Sequence, residues 1–483
     1  MELKKDIKML YTNKDLKKLI IPLVLEQLLA LLVGLADTLM IANVSEAAVS
    51  GVSLVDTINI LIINVFTAFG TGGAVVAGHY LGKGDKEDAC KASWQVLLFS
   101  LTSSIVVTSI FLLFHNGILQ LIIGRVEADV MANARSYLVV TALSFIPLAV
   151  YNACAGLFRT MRDSKMTLKI SILMNIMNVT GNAVFIYGFG MGTFGAAVST
   201  TISRATAAVI IFCLMFNEKR DLNFKGQITL RFKPDLIKKI CYIGLPNSLE
   251  NSLFQLGKIM TVSMISTMGT YAIAANAVCN TIASLNILPG AAINSAIVAI
   301  VSVCIGAGEI GQARHYAKKL MKLVEVSMIA TSLAIIMGAG LLTSLYHLSP
   351  EATTLAKHVL WLHATMVIIA WVPSFSLPNV FRAAGDAMLP MAVSIASMWT
   401  FRLGCSYVLG IMFGWGLIGV WTAMVIDWVF RAVCFTIRFR SGKWENKMLS
   451  KNDGQIQKDR YDYGEDRREQ NIGSGKSNND SCP

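Results

Sequence analysis

Charge is scarce in this chain. Asp, Glu, Lys and Arg make up only 15% of its 483 residues, against about 25% in an ordinary soluble domain, while 54% are hydrophobic and the mean hydropathy is +0.58. That shortage excludes a soluble globular protein and places the chain in a bilayer. Catalytic patterns are missing as well: there is no His-Glu-x-x-His helix, no Gly-x-Ser-x-Gly elbow and no paired His or Cys ligand spacing. An intramembrane enzyme or a zinc protein would need such a constellation, so no enzyme activity is expected. The nine cysteines (90, 154, 213, 241, 279, 304, 405, 434, 482) are scattered without a Cys-x-x-Cys pair, which excludes a disulfide framework and leaves them as small packing residues. Gly473-Ser474-Gly475-Lys476-Ser477 resembles the end of a phosphate-binding loop, yet that pattern needs glycine where Gln470 stands. With ATP excluded and no cofactor expected, any transport must draw on an ion or substrate gradient.

What is abundant is apolar sequence of membrane-crossing length. A spanning helix needs about 20 mostly apolar residues. About twelve such runs begin near residues 19, 48, 92, 134, 167, 195, 237, 271, 321, 357, 389 and 417. The fold class expected is therefore all-α and integral to the membrane. The first run is longer than a signal-peptide core and lacks a small-residue cleavage site, so no cleaved leader is expected. The formal net charge of +12 is set by topology. Lysine and arginine crowd the N-terminus (Lys4, Lys5, Lys8, Lys14, Lys17, Lys18) and alternate connections: Lys83 to Lys91, Arg159 to Lys165, Lys219 to Lys239, Arg314 to Lys322, Arg382 and Arg438 to Lys447. The connections between, around Asn43, Arg125, Met191, Met268, His347 and Phe413, are nearly free of them. The positive-inside rule puts both termini in the cytoplasm and leaves no basic surplus for nucleic acid.

The chain is written twice. Val76 to Asp85 answers Ile300 to Glu309, and Pro22, Glu26, Gly82, Gly84 and Gly195 recur as Pro246, Glu250, Gly306, Gly308 and Gly419, 224 residues on. Phe158-Arg159 with Asp163 recurs as Phe381-Arg382 with Asp386, 223 residues on. An even number of spans per copy gives both the same orientation, related by a pseudo-twofold along the membrane normal, as in transporters built from like halves. The expected organisation is an N-terminal six-helix bundle at 1–216, a cytoplasmic linker at 217–235, a C-terminal six-helix bundle at 236–440 and a disordered cytoplasmic tail at 441–483. The tail's Asn, Asp, Lys, Gly and Gln leave little apolar surface to bury.

Polar residues inside apolar spans are costly and mark cavities or partners. Glu26 and Asp37 are eleven residues apart, about 20° from three full helical turns, so both lie on one face roughly 16 Å apart. They line a path or act as interhelical glue. Asn175, Asn178 and Asn182 recur at i, i+3 and i+7, converging to hold a hard cation through their carbonyls or to bond neighbouring helices. Asp56 is the repeat partner of Asn280, so the halves diverge there and the N-terminal half is the acidic one. Lys258, seven residues after Asn251, brings a positive charge deep into the seventh span, where it pairs with a carboxylate across the cavity or snorkels. Asp427 and Arg431 are spaced for an intrahelical pair, and His363 reads as a hydrogen-bonded core imidazole. The 23 methionines fit adaptable walls or lipid-facing filler.

In Ile21 to Leu29, Gly34 to Met40, the two Gly-x-Gly-Asp/Glu loops, Phe381 to Asp386 and Gly416 to Trp421, the chain resembles the multidrug and toxic compound extrusion (MATE) family over about residues 12 to 445. The resemblance implies two six-helix bundles around a V-shaped cavity, rocking between inward-open and outward-open states and exporting lipophilic organic cations against sodium ions or protons. Asp37 matches the family's first-span aspartate of cation coupling and Asn178 an asparagine of the same site, giving a possible sodium site at Asp37 and Asn178. Asn182 stands where many members have aspartate, and Phe254 where some have glutamate, with Glu250 one turn earlier. The expected protein is a plasma-membrane efflux antiporter with substrate-cavity residues Glu26, Asp56, Glu250, Asn251, Lys258, Asn280 and Arg402. Two fused halves already supply the symmetry that dimers provide elsewhere, so a monomer is expected. The alternative is a flippase of a lipid-linked precursor, toward which Lys258 and Arg402 lean.

Overall fold

A computed structural model describes residues 9–123 and 126–445. They form twelve helical rods: α1 (Asn13–Ala42), α2 (Glu46–Gly82), α3 (Lys86–Ile122), α4 (Ala128–Leu143, then Phe145–Thr160), α5 (Ser164–Gly188), α6 (Gly192–Leu214), α7 (Pro234–Ser266), α8 (Thr270–Gly306), α9 (Ile310–Ser344), α10 (Pro350–Ala383), α11 (Met388–Met412) and α12 (Gly416–Arg440). No strand occurs among the described residues. The rods coincide with the twelve apolar runs. Ten of them are long and apolar enough to cross a bilayer, and α4 makes eleven when its two segments, bent by 47°, are counted as one span.

The bend in α4 falls at Ser144, three residues before Pro147. Proline lacks a backbone donor and crowds the preceding turn, which breaks the helical ladder there. The remaining rod is α7, as long as its neighbours but not apolar enough to pass the same test. Asn247, Glu250, Asn251, Gln255 and Lys258 sit in its middle. Such a stripe lowers mean hydropathy because it faces the interior of the protein instead of lipid.

The two longest repeat partners, α2 and α8, hold the molecule together. α2 packs on α3 and α4 of its own half but also along α7, and α8 packs on α9 and α10 but also along α1. Each half thus lends its second rod to the other, a reciprocal contact that a pseudo-twofold requires. Glycine permits the closest approach: a Cβ on Gly82 would run into the carbonyl oxygen of Val303, and one on Gly306 into the carbonyl of His79. His79 Nε2 lies 2.7 Å from the carbonyl oxygen of Ala383, tying α10 to the same crossing.

The stretch between α6 and α7 is not a loose tether. Leu222 and Phe224 are fully buried, Trp94 donates to the Thr229 carbonyl at 2.7 Å, and Gln95 bonds the backbone of Arg231 and Lys233 at 3.0 Å each. The tail expected from residue 441 also starts later than its composition suggests: Trp444 is fully buried, stacked on Phe439, and Glu445 pairs with Arg314 at 2.8 Å. A single indole supplies the apolar surface that the rest of the segment lacks. The remaining tail, with the phosphate-loop-like 473–477, and the leading Lys4, Lys5 and Lys8 lie outside the described residues.

Candidate functional site

In the first half, five rods converge on Asp37. Asn182 of α5 donates to Asp37 Oδ1 at 2.6 Å. Asn178, with its amide oriented to satisfy both neighbours, donates to Oδ1 at 2.8 Å and Oδ2 at 3.3 Å and accepts from Thr200 Oγ1 at 3.1 Å. The i, i+4 spacing on α5 is what brings both amides to one carboxylate. They offer their N–H sides, however, and not the carbonyls expected for a bound cation; the Asn182 carbonyl oxygen is buried without a partner. Asn175, one turn back, makes no bond to Asp37 and its amide nitrogen is also unpartnered. Asp56 accepts from Asn59 at 3.2 Å and from the Tyr137 hydroxyl at 3.3 Å.

A residue that the sequence reading missed sits among these groups. Arg204 of α6 donates to Ser144 Oγ at 2.8 Å, at the bend of α4, and acts electrostatically on both Asp37 and Asp56. The first half is therefore less acidic than its two carboxylates imply. The rule that flagged Lys258, a charge inside an apolar run, applies equally to Arg204 and would have found it.

A cavity of about 560 Å³ lies between the halves, walled by Asn64, Thr67 and Thr71 of α2, Arg159 of α4, Glu250 and Phe254 of α7, Asn294 of α8 and Arg382 of α10. At its walls the repeat closes two matching ion pairs: Glu26 with Arg159 at 3.0 Å and Glu250 with Arg382 at 2.5 Å. Thr167 donates to the other oxygen of Glu26 at 3.2 Å. Behind them Asp163 pairs with Arg220 and Asp386 with Arg438, at 2.7 and 2.6 Å. Removing one partner leaves an uncompensated buried charge, at a cost of about 3–5 kcal/mol. Arg382→Ala is thus expected to lower the unfolding temperature in detergent sharply, and the exchange Glu250→Arg with Arg382→Glu to recover much of it. Equal losses in the single and exchanged proteins would show that the pair is not the stabilising unit.

The second half is basic where the first is acidic. Lys258, Arg402 and Arg431 surround the Phe254 ring, their charged atoms 5.9, 5.2 and 5.3 Å from its centroid. Asp427 pairs with Arg431 at 3.2 Å, as the i, i+4 spacing predicts, lies 3.8 Å from Arg402 and accepts from Ser397. Among the described residues no carboxylate comes within ion-pair distance of Lys258, so the expected pairing across the cavity is not what the structure contains. Asn251 lines the cavity and bonds Asn247 at 3.4 Å, while among the described residues Asn280 bonds only its own helix, at the Asn276 carbonyl. His363 is buried edge-on to Trp421 and Trp428, with Nδ1 unpartnered where a hydrogen bond was expected.

The structure brings Asp37, Asn178 and Asn182 together in one place and Glu250, Asn251 and the Phe254 cluster in another. Asn175 and Asn280 join neither. No group of three His, Cys, Asp or Glu that could hold a metal occurs among the described residues. Oxygen donors for a hard ion are nonetheless present at Asp37, from its two carboxylate oxygens, the orphaned Asn182 carbonyl and Thr200.

Known proteins share this architecture and sequence. The MatE family model matches twice, over residues 22–184 and 246–408. "Probable multidrug resistance protein NorM" of Thermotoga maritima is 26% identical over 441 residues, covering 90% of this chain and 94% of the relative. "Uncharacterized transporter YisQ" of Bacillus subtilis is 28% identical over 436 residues, covering 89% and 94%. Among solved structures, MATE in the bent conformation superposes with a TM-score of 0.83 at 19% identity, over 91% of this chain and 96% of that one. A MOP superfamily transporter from Pyrococcus furiosus, described as having reverse polarity of its binding pocket, also gives 0.83, at 21% identity over 90% and 96%. With two matches of one family model covering most of both halves, this multi-pass membrane protein belongs to the MatE family of multidrug and toxic compound extrusion transporters.

Proposed function

We propose that the protein is an ion-coupled multidrug efflux antiporter of the plasma membrane, exporting lipophilic organic cations through alternating access of an N-terminal bundle (1–216) and a C-terminal bundle (236–440). The observation that carries the reading is Asp37, a carboxylate held inside the first half by two carboxamides and set beside Asp56 and Arg204. A coupling ion, sodium or proton, bound there would neutralise Asp37 and release the amides. Sodium would be held by oxygens of Asp37, Asn178 and Asn182 once both amides turn their carbonyls inward. Ion and drug then favour different conformations, so that loading one expels the other. Uptake of a fluorescent dye cation by inverted vesicles under an imposed gradient tests this. No uptake under either a sodium or a proton gradient would refute it. A flippase of a lipid-linked precursor is the second reading, drawing on the basic cluster of Lys258, Arg402 and Arg431. Movement of a labelled lipid precursor without dye transport would favour it.

The alternation of basic residues supports a cytoplasmic position for both termini and for the connections Gly82 to Lys91 and Gly306 to Lys318. Epitope tags inserted there are expected to react only after permeabilisation. Labelling of either connection in intact cells would overturn the topology together with the parallel orientation of the halves.

A further inference from the structure

We infer that the second half carries an anion-binding subsite, formed by Lys258, Arg402 and Arg431 around Phe254, which receives the carboxylate or phosphate of an aromatic amphiphile, so that the substrates of the cleft include zwitterions. Three cations converge on one ring while a single carboxylate, Asp427, serves two of them and is also bonded by Ser397. The cluster is left with an excess of two positive charges. Charge of this kind inside a membrane protein is expensive unless it faces a cavity and meets a partner.

A second observation points the same way. Arg431 is 98% buried yet lines the cavity, and its Nη2 has no acceptor; the Nε of Arg402 has none either. A guanidinium presents its donors in a fixed planar fork suited to a two-oxygen anion, whereas an ammonium acts as a mobile point charge. Lys258 lies three and four residues beyond Gln255 and Phe254, both cavity-lining, on the same face of α7, and its side chain is exposed. The three groups thus divide the task between orientation and attraction.

The surrounding wall supplies the apolar part of the site. Trp371 and Phe375 stack at 5.2 Å between ring centroids, both line the cavity, and Arg431 sits 5.1 Å from the Phe375 centroid. An aromatic body laid against this pair would bring its anionic group to Arg431 and Lys258. Glu250 lines the same cavity, a carboxylate that a cationic group on the same molecule would meet.

The inference rests on reading the cleft as a substrate path. It is tested by equilibrium binding in neutral detergent with no gradient, so a failure of driven transport would count against that reading without touching the subsite. The probes are a rhodamine dye with a free carboxylate, which is a zwitterion, and its ethyl ester, a plain cation with the same aromatic body. The full-length protein is expected to bind the carboxylate form about tenfold more tightly, the size of one charge-assisted hydrogen bond. Lys258→Met is expected to weaken the carboxylate dye and tighten the ester, and Lys258→Arg to keep the original order. Lys258→Gln, which preserves length and polarity, serves if the methionine protein elutes abnormally. Equal affinity for the two dyes in the unaltered protein would overturn the subsite, as would an unchanged preference in a well-folded Lys258→Met. Displacement of the dye by a short-chain anionic phospholipid but not by an aromatic carboxylate would assign the cluster to a lipid headgroup and overturn the proposal as stated.

Discussion

Asp37→Asn is expected to reduce gradient-driven dye efflux to the leak level while the protein still inserts and folds. Asparagine fills the same volume, and the interior of the first half keeps its electrical balance, because Asp56 remains to offset Arg204. What is lost is the ability to change charge. A carboxylate can be neutralised by a proton or by sodium and an amide by neither, so the step that would free Asn178 and Asn182 has no trigger. Sodium and proton coupling part on one measurement. Vesicles given a sodium gradient with equal pH on both sides transport dye if sodium couples, and stay dark if protons do. Full transport by Asp37→Asn under both gradients would sink the assignment and leave Asp37 as interhelical glue.

Much of this site is legible in the chain, because the repeat multiplies weak signals. Glu26 with Glu250 and Arg159 with Arg382 recur at matching offsets, and the structure joins them into two like ion pairs. Their pairing was not legible, since Glu26 and Arg159 lie 133 residues apart in α1 and α4 and only the bundle makes them neighbours. The carboxamide stripe of α5 was visible by periodicity. Which side of each amide meets Asp37 was not, because an amide donates and accepts equally well and the choice is set by Thr200 and by the state of the carboxylate. Lys258 shows the opposite failure: its place within α7 was legible, but its expected partner assumed that each charge inside a span is paired. The cluster around Phe254 draws on α7, α11 and α12, and no local pattern announces a contact among three elements.

The second large effect is expected where α2 crosses α8. Gly306→Ala would place a methyl group against the carbonyl of His79, and Gly82→Ala one against the carbonyl of Val303. Both obstacles are backbone atoms inside 37-residue helices, so no side-chain rotation relieves the clash and the rods must separate. Overpacking of this kind costs about 1–3 kcal/mol. A bias of that size on a two-state equilibrium shifts populations by roughly 5- to 150-fold. The variants are therefore expected to abandon the arrangement with this crossing closed and to accumulate the one with it open, stopping transport. Thr71, in the cavity wall, reports the change: as Thr71→Cys in a protein whose native cysteines are replaced, it is expected to react with an impermeant thiol reagent from the cytoplasmic face in Gly306→Ala, and from the opposite face otherwise. Gly84→Ala is the control. Its φ of 80° makes any side chain strained, but nothing stands near its Cβ, so it is expected to lower stability by about 1–2 kcal/mol without changing the side of access. If Gly306→Ala transported normally and Thr71→Cys kept its sidedness, the crossing would be a packing contact of the bundle and not the place where the cleft closes.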